Sequence, residues 1–122
     1  MKLFKRIAIV GTGLIGGSLA MAIKEKKIAD EVIGVSRHKK NLAFAKRNCI
    51  IDKGSQDIRI IAQADFVVLA TPVKTILKLA DKISGIVKKD CVVTDVGSTK
   101  QEIAAKLGKL FANYVGSHPL AG

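Results

Sequence analysis

The sequence predicts an α/β chain folded as one domain around a doubly wound parallel sheet, and three observations carry that reading. Apolar, β-branched runs of strand length alternate with segments of helical periodicity along all 122 residues, the pattern of parallel strands joined by crossover helices. One run, Asp65-Phe-Val-Val-Leu-Ala70, is apolar almost throughout, as a central strand covered on both faces requires. The opening run, Arg6 to Val10, ends in the spaced glycines Gly11, Gly13 and Gly16 and leads straight into a helix-forming stretch.

That glycine stretch reads as strand, tight turn and helix. Gly11 permits the sharp turn, Gly13 lets a bound group approach the backbone because it has no Cβ, and Gly16 lets the new helix pack tightly on the strand. Amides from Leu14 onward lack intrahelical acceptors and point at the site, where the helix dipole adds partial positive charge. A pyrophosphate suits this geometry, so Gly11, Thr12, Gly13, Leu14, Ile15 and Gly16 are the expected cofactor-binding turn of a Rossmann-type domain. The glycine spacing alone is a weak signal; a strand before it and a helix after it supply the context that the dinucleotide fingerprint needs.

Composition narrows the partners. The formal charge of +11 raises nucleic acid, but aromatics are only 4% with no Trp, so stacking platforms are scarce, and most lysines fall at helix-surface spacing. No nucleic-acid partner is expected. No apolar run approaches the roughly 18 residues of a membrane span, and the basic start has no convincing cleavage pattern; the expectation is a cytoplasmic protein with no membrane partner. Cys49 and Cys91 lack metal-ligand spacing and are expected to be buried small hydrophobes, with no metal site.

In chain order, Ser18 to Lys27 turns Leu19, Ala20, Ala22 and Ile23 inward, and Glu31 to Val35 is the second strand. Asn41 to Asn48 fits a helix with Leu42, Ala43 and Ala45 near its buried side, and Ile50-Ile51 is a candidate third strand. Gly54-Ser55 marks a turn, and Ile58, Ile60 and Ile61 suggest a short helix or irregular packing. After the Asp65–Ala70 strand, Thr71 as N-cap and Pro72 at the first helical position start a helix through Ile86. Cys91 to Asp95 is the next strand, Thr99-Lys-Gln-Glu102 a capping box for a helix through Lys109, and Tyr114 to Gly116 a last short strand.

Ligands of such sheets bind outside the carboxyl ends of the strands. The residues there are the glycine turn, Ser36 to Lys40, Ala70-Thr71-Pro72, Gly97 to Lys100 and Ser117-His118-Pro119. An NAD-specific site places Asp or Glu about 20 residues after the glycines; here the position holds Ser36. Arg37, with Lys39 and Lys40, offers a 2′-phosphate a planar donor fork and positive charge, which favours NADP and leaves NAD possible.

Gly11 to Ala20, Leu69 to Val73, Thr94-Asp-Val-Gly-Ser-Thr-Lys100 and Gly116-Ser-His-Pro-Leu-Ala-Gly122 together resemble the nucleotide-binding domain of the prephenate/arogenate dehydrogenases. The last two motifs carry most of the specificity, because the glycine and Thr-Pro motifs occur in many nicotinamide enzymes. The resemblance implies NADP-dependent oxidative decarboxylation of prephenate or arogenate, a step of tyrosine biosynthesis. It gives His118 the role of hydrogen-bonding the ring hydroxyl and taking up charge, a task suited to imidazole. Ser98 would orient that histidine and the hydroxyl, and Lys100 would support the site. His38 has no such role. The family's mostly helical second domain supplies an arginine for the substrate carboxylate and the main homodimer contact. Residues 1–122 are therefore expected to be the dinucleotide-binding domain alone, inactive by itself. Two other readings stay open: the NAD(P)-binding domain of a related β-hydroxyacid dehydrogenase or reductase, and a non-catalytic nucleotide-binding module.

Overall fold

The computed structural model describes residues 3–11, 13–96 and 101–116. The chain runs β1 (Phe4–Val10), α1 (Leu14–Glu25), β2 (Ala29–Val35), α2 (Lys39–Arg47), β3 (Lys53–Ser55), a 3₁₀ segment (Ile58–Gln63), β4 (Phe66–Leu69), α3 (Val73–Ser84), β5 (Val92–Asp95), α4 (Gln101–Leu110) and β6 (Asn113–Gly116). The six strands form one sheet in the order β3-β2-β1-β4-β5-β6, and every pairing is parallel. The strand order reverses between β1 and β4, which is where a doubly wound sheet opens its ligand crevice.

Two apolar layers hold the helices to the sheet. On one face Ile7, Ile9, Val32 and Val68 meet Ala20 and Ile23 of α1 and Ala45 of α2. On the other, Ala8, Ile33, Val67 and Val93 meet Ile76, Ala80 and Ile83 of α3 and Leu107 of α4. Central strands thus bury side chains on both faces, which explains why Phe66 to Leu69 reads as an unbroken apolar run. Each fully buried Ile or Val contributes roughly 1.5–3 kcal/mol. On α3 the outward positions Lys74, Lys78 and Lys82 are exposed, so the lysines there form a solvated face.

Several local expectations need correction. The third strand is Lys53–Ser55, not Ile50-Ile51. Cys49, with φ 57°, turns the chain out of α2; Ile51 drops into the core, and Asp52 fastens to Val32 through both its amide and its carboxylate. Gly54 and Ser55 are therefore ladder residues rather than a turn. Pro72, with ψ 153°, precedes α3 with no side-chain cap bond, so Thr71 is not its N-cap; the extended proline moves the helix start to Val73. That helix ends at Ser84, short of Ile86. Ala43 and Cys49 are exposed and Cys91 is buried. The capping box of α4 lies partly outside the described residues. Among the described residues, no helix is long and apolar enough to cross a membrane.

Candidate functional site

One row of paired residues crosses the whole sheet at its carboxyl edge. Ser55 pairs with Val35, Val35 with Val10, Val10 with Leu69, Leu69 with Asp95, and Asp95 with Gly116. Every strand ends on that row, so the described segments after β1, β2, β3 and β4 all leave the sheet along one edge. The glycine turn, Ser36 to Lys40 and Ala70 to Pro72 are thereby brought together.

The glycine turn has the geometry its sequence implies. Gly11 has φ +99°, and its amide donates to Val35 O at 2.7 Å. A Cβ on Gly11 would sit 2.9 Å from Thr71 Cγ2 and 3.1 Å from the Ala70 carbonyl, and one on Gly16 only 1.9 Å from Gly11 O. The two glycines therefore permit strand, turn and helix to close on one another and on the β4 end. Gly13 differs, because a Cβ there would meet no atom of the described residues within 4 Å beyond its chain neighbours. Its absence keeps open space above the first turn of α1, where Gly13 is the N-cap residue and no acidic side chain lies in the first turn. Unpaired amides and the dipole make that opening attractive to an anion. Leu14 and Ile15 contribute here as backbone; Thr12 lies outside the described residues.

The second cluster follows β2. Ser36 is half-buried, and Arg37, His38, Lys39 and Lys40 are exposed. Ser36 Oγ accepts from the His38 amide at 3.1 Å, and Ser36 N donates to Ser55 O at 3.2 Å. Gln56 Nε2 donates to Arg37 O at 2.9 Å. These bonds fix the loop backbone and leave the Arg37 guanidinium facing solvent. Helix α2 begins at Lys39, earlier than its periodicity suggests, with no side-chain cap and no acidic residue in its first turn. Lys39 and Lys40 thus stand beside a positive helix end, which is unfavourable without an anion and favourable with one.

The third cluster is at the ends of β4, β5 and β6. Among the described residues, Thr71 Oγ1 is buried without a hydrogen-bond partner, and so is Oδ2 of Asp95, a residue only 1% exposed. Asp95 Oδ1 accepts from the Tyr114 hydroxyl at 2.5 Å. Burial first, then that hydrogen bond and the carboxylate's charge, push the Tyr114 phenol up, so it stays a donor. Sequence reasoning passed over Gln56, Asp95 and Tyr114 as site residues. The signal available was an acidic residue closing an apolar strand, which a buried position tolerates only with partners. Ser98, Lys100 and His118 lie outside the described residues.

Two buried polar atoms without partners, a turn with space for a phosphate and a basic helix start, all on one edge, fit a dinucleotide laid across the switch point. The fold and the site define a Rossmann-type nucleotide-binding domain. The chain belongs to the family described as "Prephenate dehydrogenase, nucleotide-binding domain", whose model matches residues 19–122. It is 37% identical over 123 residues to a prephenate dehydrogenase of Lactococcus lactis, covering 97% of this chain and 34% of that protein. Among solved structures it is similar to prephenate dehydrogenase from A. aeolicus in complex with hydroxyphenyl propionate and NAD+, with TM-score 0.88, 33% identity, and coverage of 97% of this chain and 42% of that one. Synechocystis arogenate dehydrogenase matches with TM-score 0.87 and 33% identity, over 93% of this chain and 40% of that one. The chain spans about a third of the length of the curated relative.

Proposed function

We propose that residues 1–122 form the cofactor-binding part of a dehydrogenase that oxidatively decarboxylates prephenate or arogenate in tyrosine biosynthesis, with NADP as the preferred cofactor. The observation that carries this is the shared carboxyl edge, where the glycine turn and the Ser36–Lys40 cluster flank the crevice between β1 and β4. The bound dinucleotide would supply the hydride acceptor. Gly11 to Gly16 hold its pyrophosphate through amides of the α1 start, and Ser36, Arg37 and Lys40 receive the adenosine end with its 2′-phosphate. Ala70, Thr71 and Pro72 line the way towards the reacting ring. His118 takes the proton of the ring hydroxyl and Ser98 orients it, as the family motifs suggest. A substrate with a leaving carboxylate and a ring poised to aromatise asks no more of the protein than proton removal and alignment.

Calorimetric titration of NADP+ and NAD+ tests the reading. NADP+ is expected to bind more tightly, and Arg37→Ala to weaken NADP+ by roughly tenfold or more while sparing NAD+, since a charge-assisted hydrogen bond contributes about 1.5–3 kcal/mol. Equal or tighter binding of NAD+ by the unaltered protein overturns the NADP preference, and no binding of either overturns the function.

A further inference from the structure

Strand β6 is the sheet's edge, four residues long, with Val115 and Gly116 exposed, yet its carboxyl end is fastened to β5 on both faces. Asp95 shares a face with Val93, which belongs to the α3/α4 core, and there it takes the Tyr114 hydroxyl at 2.5 Å. Thr94, pointing the opposite way by strand alternation, donates its hydroxyl to Val115 O, also at 2.5 Å. Two side-chain bonds on successive residues of β5 thus hold β6 in addition to its backbone pairing. One of them involves a carboxylate that is 1% exposed and has one oxygen unpartnered. A buried polar atom without a partner costs free energy, and such sites persist where another requirement holds them.

The position suggests that requirement. With the adenosine end on the β2 side and the pyrophosphate at the α1 start, the remaining half of a dinucleotide extends over the ends of β4, β5 and β6. Thr71 Oγ1, the other buried polar atom without a partner, follows β4 on the same route. An oxidised nicotinamide ring is a cation and the reduced ring is neutral, so a buried negative charge nearby acts on the two forms unequally.

We propose that Asp95, held by Tyr114, is a positioning residue for the nicotinamide half of the site, and that its buried charge favours the oxidised cofactor over the reduced one. The proposal rests on the dinucleotide-binding reading above. It asks the Thr94–Val115 and Asp95–Tyr114 bonds to hold the ends of β5 and β6 in register, while the carboxylate contributes the charge preference.

Ligand dissection tests it. NADP+, NADPH and 2′-phospho-ADP-ribose, which lacks the nicotinamide, are titrated against the unaltered protein, Asp95→Asn and Tyr114→Phe. In Asp95→Asn, NADP+ is expected to weaken by about threefold to tenfold, NADPH by less, and 2′-phospho-ADP-ribose not at all. Tyr114→Phe leaves the carboxyl group and removes the bond that holds it, so it should weaken NADP+ and NADPH and spare the truncated ligand; it also decides the positioning role if Asp95→Asn does not fold. Equal losses for all three ligands, or no loss for any, reduce Asp95 to a structural residue and overturn the proposal. If the unaltered protein binds none of the three, the dinucleotide reading itself falls and takes the proposal with it.

Discussion

The two edges of the sheet treat polar groups in opposite ways. At the amino edge carboxylates meet cations: Arg6 Nε lies 3.1 Å from Glu31, Lys24 Nζ 2.7 Å from Asp52 and Lys88 Nζ 2.9 Å from Asp65. Asp52 and Asp65 also accept the backbone amides of Val32 and Arg6. Among the described residues of the carboxyl edge, Thr71 Oγ1 and Asp95 Oδ2 are buried without partners, a glycine holds space open and the α2 start carries lysines with no acidic residue in its first turn. The amino edge is closed by its own pairs, whereas the carboxyl edge, apart from the Asp57–Arg59 pair after β3, holds among the described residues unmet polar capacity of the kind the proposed ligand would satisfy. With a formal charge of +11, lysine density alone would not have separated them; unmet polar capacity does.

The largest expected break in that comparison comes from the glycines. Gly16→Ala places a carbon 1.9 Å from Gly11 O, so turn and helix must separate, and a loss of more than about 3 kcal/mol is expected in urea denaturation. Gly13→Ala meets no atom of the described residues within 4 Å and should change stability by less than about 1 kcal/mol, yet its methyl enters the opening proposed for the pyrophosphate and should abolish measurable NADP+ binding. Tight binding by Gly13→Ala would show that the opening is not the phosphate site.

Thr71→Val sharpens the contrast at smaller magnitude. The valine keeps the shape and removes a hydroxyl that has no partner, so stability should hold or rise by about 1 kcal/mol, while cofactor affinity falls severalfold if that hydroxyl serves the ligand. Asp65→Asn should do the reverse, lowering stability without touching affinity. If both variants moved stability and affinity in the same direction, the division of labour between the edges would be wrong.

How much of this was legible in the sequence depends on the range of the interaction. The glycine turn was readable because its spacing reports local backbone geometry, and Gly11 and Gly16 behave as that spacing implies. Parallel strands were readable from apolar runs. Strand β3 was not, since Lys53-Gly-Ser55 has the composition of a loop and its pairing with β2 is a tertiary event. Thr71 stood out as a strand-end residue, but the cap also assigned to it was wrong, because a Thr-Pro pair reads as a cap until the proline's extended ψ is known. The bonds from Gln56 to Arg37 and from Tyr114 to Asp95 each span 19 residues, and no local pattern announces them.

Acid gives the smallest separation of the two edges. The hydrogen bond from Lys88, opposed by partial burial and helped by the Arg6 amide, holds Asp65 below its ordinary value of 3.8. At Asp52 partial burial works upward, but the bonds from Lys24 and the Val32 amide outweigh it and the net direction is also down. A carboxyl whose folded value is depressed stabilises the protein above its unfolded value and loses that contribution as pH falls through the folded one. Stability should therefore decline below about pH 4. These pairs are about a third or more exposed, so each contributes only about 0.2–1 kcal/mol, less in salt. Acid also adds positive charge to a chain already at +11, so the decline in the unaltered protein has more than one source. Comparison with Asp65→Asn isolates the pair: the stability gap between the two proteins should be widest near pH 6, narrow as the pH falls towards 3 and shrink in 1 M NaCl. A gap that stayed constant with pH would show that Asp65 acts through its shape and neutral hydrogen bonds rather than through its charge.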